Sequence, residues 1–154
     1  MRIDWMDEHK KKHTRYVDFI SVVLTHDAQY VVDCLHTVIE RWSTQHGIES
    51  FLIWTDQGKH FVCEQMFASL MRDIPITYAV NVQWNRFVEH HGKSAVDAHF
   101  SLISRWLKEA ETQHDKITTT DELITVLNER AGAHKMSDKI EFELYCPKCV
   151  LSTV

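Results

Sequence analysis

A mixed α/β fold, with a mostly parallel sheet and helices packed on it, is predicted by three features of this 154-residue chain. Short segments rich in β-branched and aromatic residues read as strands with no polar face. Between them, apolar residues recur at helical spacing. The two kinds alternate as strand, helix, strand, helix, strand, helix, which argues for layered α/β architecture with right-handed crossovers.

The first strand is RYVDFISVVL, Arg15 to Leu24, ending at THDAQ. In AQYVVDCLHTVIERW, Val31, Leu35, Val38 and Trp42 share a helical face, with Val32 and Ile39 beside it. STQHG ends that helix. SFLIWT, Ser50 to Thr55, is a second strand that closes on Asp56 and a glycine turn. KHFVCEQMFASLM returns to helical spacing through Phe61, Met66, Phe67 and Leu70. IPITYAVNV predicts a third strand over Ile76–Val82, and QWNRFVEHHGKSA a loop leading to the helix that holds Asp97. TTTDELITVLNERAGAH predicts a further helix. Thr119 and Glu122 have capping-box spacing, and Gly132 suits the position after the last turn. DKIEFELY alternates Ile140, Phe142 and Leu144, a strand with one buried face, and CPKC follows. The expected organisation is a basic lead-in (1–14), an α/β core (15–112) and a C-terminal extension of helix, strand and CPKC (113–154).

Composition narrows the function classes. The chain is 44% hydrophobic and 25% charged, ordinary for a globular domain with one core. Its apolar runs fall short of a membrane span and no signal-peptide pattern opens it, so a nuclear or cytoplasmic protein without membrane association is expected. A net charge of −5 counts against broad nucleic-acid binding. HKKKHTR, His9 to Arg15, is a local basic block: either a solvated lead-in or a phosphate-contacting arm. Cys34 and Cys63 sit in helical patterns and read as buried thiols.

Metal-dependent phosphoryl transfer needs carboxylates gathered from separate elements around two divalent ions roughly 4 Å apart. Magnesium takes such hard oxygen ligands. Asp56, at a strand end, and Asp97, early in a later helix, are suitable donors. Each also has a bland reading, since Asp is common before a turn and in a first helical turn.

IWTDQGKHF, followed about thirty residues later by HHGKSAVDAHFSLISRWL, resembles the second half of a ribonuclease H-like, DDE-type transposase domain. In one eukaryotic transposon-derived group, a strand ending in SDG…QF precedes an HGKG…DG segment. ISVVLTHDAQYVVDCL is similar to that group's strand, HD and amphipathic-helix block. The similarity covers roughly residues 18–107. It implies a shortened ribonuclease H-like fold lacking the family's N-terminal strands, and a chemistry of magnesium- or manganese-dependent DNA cleavage and transfer, active or degenerate. Asp56 matches the family's second acid and Asp97 the acid of the HGK…D motif, both as metal ligands. His91 and Lys93 match the motif itself and would contact substrate. Ser94 and Ala98 stand where the family has glycines. If RYVDFISVVL is the family's third strand, the first acid is missing with the two strands before it; if it takes the central position, Asp18, in mid-strand, is the stand-in for the first acid, ahead of Asp4 and Asp27. The rival reading is a non-catalytic binding or assembly protein that kept the fold, with a protein partner or further copies covering exposed sheet edges.

Cys146 and Cys149 have the spacing of half a zinc site, with His134 or another chain to complete it; the alternative is an unligated thiol pair. His90, His91 and His99 read as surface or hydrogen-bonded residues more readily than as a metal cluster. Trp42, Trp54, Trp84 and Trp106 read as core, with Trp84 in its loop able to stack on a base.

Overall fold

The computed structural model describes residues 1–6, 9–22, 27–55, 57–59, 61–86, 95–113 and 117–145. It is mixed α/β, as the alternating patterns require. Its contacts divide the chain into two compact units, Met1–Val22 with Lys93–Tyr145, and Val23–Gly92 with Cys146–Val154.

The first unit is built on a three-stranded sheet. Strand β1 (Arg2–Met6) pairs antiparallel with β2 (Lys12–Ile20), and β2 pairs parallel with β5 (Ile140–Leu144). β1 lies within the expected lead-in. Its RIDWM has the period-two alternation of a strand, Ile3 and Trp5 against Arg2 and Asp4. Lys10 takes φ 60 before β2 begins. Asp4, weighed as a weak acid candidate, is held by Arg2 at 2.9 Å, Lys12 at 3.5 Å and the Thr14 hydroxyl. Partial burial pushes its carboxyl up, but Thr14, Arg2 and Lys12 outweigh this and hold it below the usual range.

Two helices cover one face of that sheet, α4 (Ala95–Gln113) and α5 (Thr120–Ala133). Trp106, Leu127, Ala131, Ile140 and Phe142 form the core, with Tyr16, Ile20, Leu102 and Ile103 against it. α5 opens with the expected capping box: Thr119 Oγ1 accepts from the Glu122 backbone, and Glu122 reaches back to Thr119 N. Gly132 does not close this helix. It lies inside the last turn, and His134 is the cap. β5, expected in a separate extension, supplies an edge of the main sheet because Ile140 and Phe142 complete its apolar face.

The second unit contains α1 (Ala28–His46), whose Val32, Leu35, Val38, Ile39 and Trp42 are buried. Asp27, another weak acid candidate, is the N-cap, accepting from Tyr30 N at 3.0 Å. Gly47 closes the helix in the left-handed conformation, φ 62. β3 (Ser50–Thr55) pairs parallel with β4 (Asn81–Arg86) in a separate two-stranded sheet.

Between them runs a helical stretch: α2 (Glu64–Ala68), a π-helical turn (Ser69–Asp73) and α3 (Ile74–Tyr78). The expected third strand over Ile76–Val82 is therefore corrected: Ile76–Tyr78 are helical and the strand starts at Asn81. Pro75 at the start of α3 has no N–H to give, and its ring would strike the carbonyl four residues back. The wider turn, with Ile74 N bonded to Ser69 O, accommodates it. Ala79, at φ 53, ends the helix. The expected loop from Gln83 is likewise replaced, to Arg86, by β4. The single sheet expected for the first three strands is replaced by two, since β1 and β5 occupy both sides of β2. No helix among the described residues is long and apolar enough to cross a membrane.

Candidate functional site

Side chains at Tyr16, Asp18 and Ile20 alternate onto the helix-covered face of β2. Register puts Asp18 beside Phe142 of β5, with Tyr16 and Ile20 beside Ile140 and Leu144. A carboxylate on so apolar a face needs a partner. That partner is His99, whose Nε2 donates to Asp18 Oδ2 at 2.5 Å. The two side chains are 3% and 11% exposed, respectively. Tyr16 stacks on the imidazole, centroids 4.1 Å apart and planes 11° apart. Asp18 Oδ1 is buried and accepts no hydrogen bond among the described residues; the Met1 nitrogen is 3.9 Å away.

α4 positions His99. His99, Trp106 and Ala110 are buried, and Ile103 packs beside them, a stripe spaced four, three and four residues apart. That spacing was available in the sequence and marks His99 as a core-facing residue. Of the two expectations for His99, surface or hydrogen-bonded, the second is the one met, at a buried position. Asp97, two residues earlier, is exposed in the first turn, and its backbone oxygen accepts from Ser101 Oγ at 2.9 Å. A histidine oriented by a carboxylate is a common general base. Here the imidazole is closed to solvent and substrate, so the pair acts as a clamp between β2 and α4.

A second polar cluster lies in the other unit. His36 of α1 has Tyr78 OH at 3.0 Å from Nδ1 and Ser69 Oγ at 3.3 Å from Nε2. The hydroxyl–imidazole order suits a nucleophile and base, but Ser69 is only 3% exposed. Burial, and then Glu40, push the Tyr78 phenol up. The cluster ties α1 to the π-helical turn and α3.

The family model that matches this chain describes a domain of unknown function, DUF8701, and covers residues 3–147. The chain belongs to the DUF8701 family. No curated protein matches it.

In this DUF8701 chain, Asp56, His91, Lys93, Cys146 and Cys149 lie outside the described residues, as does His90. The expected juxtaposition of Asp56 and Asp97 falls there too. Of the three expected catalytic acids, Asp18 and Asp97 are described, the first turned into the core and the second toward solvent. Among the described residues no group of three His, Cys, Asp or Glu side chains could hold a metal. Among the described residues the donor set around Asp18 does not fit a magnesium pair: one oxygen is taken by His99, and no second described carboxylate faces it. β5 does carry acids, Glu141 and Glu143. Register places them beside Val17 and Phe19, on the opposite face from Asp18, and Glu141 is 3.8 Å from Arg15.

His134, weighed as a zinc ligand, caps α5 and stacks on Trp106 at 5.3 Å. Cys34 is buried as expected. Cys63 is half-exposed, and its Sγ caps α2 by accepting from Met66 N. Trp84 stands in β4, not a loop. Its Nε1 donates to Thr55 Oγ1 at 3.0 Å, and Arg86 lies 5.4 Å from its ring centre. With Val62, Cys63, Glu64 and Phe67 these two line an open groove of about 310 Å³.

Proposed function

We propose that this chain is a transposase- or integrase-derived domain, on a shortened ribonuclease H-like frame, in which metal-dependent strand cleavage has given way to a binding or assembly role. The observation that carries this reading is the setting of Asp18. In an active site of this class, the first acid would stand beside a second carboxylate from a neighbouring strand, both open to a metal pair. Here β2 has β1 on one side and β5 on the other. The strand beside Asp18 brings its acids to the wrong face, and His99 takes the Asp18 oxygen that a metal would need.

Assembly is favoured over DNA binding by the fate of the basic block. Lys12 is engaged by Asp4 and Arg15 by Glu141, so part of its charge is balanced within the chain. Net charge of −5 acts in the same direction.

Cleavage of labelled DNA in magnesium or manganese tests the reading. The expected result is none above background for the purified chain. Robust cleavage by the wild type, abolished by both Asp56→Ala and Asp97→Ala, overturns it. Tight, strongly salt-dependent binding of duplex DNA would overturn the preference for assembly.

A further inference from the structure

We draw no further inference here: the strongest candidate, the open groove that Val62, Cys63, Glu64 and Phe67 line with Trp84 and Arg86 of β4, holds an acid and a cation in one lining and so selects no ligand charge, and nothing in the structure shows what covers it.

Discussion

Asp18 and His99, 81 positions apart in the chain, meet at 2.5 Å between β2 and α4. Both are nearly closed to solvent, so each keeps the other from being a lone polar group in an apolar layer. His99→Leu or Asp18→Leu should cost about 3–5 kcal/mol, mainly by stranding the partner left behind. Replacing both, as Asp18→Leu with His99→Leu, should recover much of that loss. Urea unfolding of the four proteins, analysed as a double-mutant cycle, measures the difference. Strictly additive costs would show that the pair packs without interacting.

The capping box sets part of the acid response. Glu122 accepts from the Thr118 and Thr119 backbones and from the Thr118 hydroxyl, and these bonds hold its carboxyl below the usual range. A carboxyl lowered by folding contributes stability that is complete above its unfolded value and is lost as pH falls through its folded one. Glu122→Gln should therefore flatten the acid limb of a stability–pH profile and leave its slope near neutrality unchanged. Thr119→Ala, which removes the other half of the box, should cost about 1 kcal/mol in chemical denaturation at neutral pH.

Gly47 and Gly132 should respond to alanine with opposite signs. Gly47 sits at φ 62 with nothing within 4 Å of an added Cβ, so the penalty is conformational, about 1–2 kcal/mol. Gly132 lies inside α5, and its added Cβ would meet only Ser137 Oγ at 3.7 Å, ordinary contact. Gly132→Ala should stabilise by about 0.5–1 kcal/mol. Thermal unfolding of the two variants beside the wild type is sufficient to see the sign.

His36 joins three helical elements through Ser69 and Tyr78. His36→Ala leaves the buried Ser69 hydroxyl without its imidazole and should cost about 1–3 kcal/mol. Native-state hydrogen exchange should show the added opening in the helical stretch Glu64–Tyr78. Protection unchanged there would mean that α1 and this stretch are held by apolar packing alone.

Much of the local structure was legible in the sequence. α1 followed from the spacing of Leu35, Val38 and Trp42, and the start of α5 from Thr119 and Glu122. SFLIWT declared a strand. The errors cluster where a local signal competed with a neighbour. ITYAV has strand-forming residues, yet the helix already running from Glu64 carried through Pro75 by widening one turn. RIDWM alternates like a strand, but the adjacent lysines drew it into a solvated lead-in.

The sequence by itself determined the mixed α/β class, the principal helices and the acids worth following, because periodicity, caps and side-chain chemistry are properties of neighbouring residues. Tertiary structure alone decided which strands lie side by side. Pairing joins residues far apart, so nothing near Asp18 announced that β5 would lie against it, or that the acids of β5 would face the other way. His99 was placed by the same logic: helical spacing turns it to the core, but only the fold sets Asp18 within reach of its Nε2. The apolar edge of β3 shows both influences. Its uncharged residues are written in the chain, whereas the exposure of Leu52 and the burial of Thr55 are set by the fold.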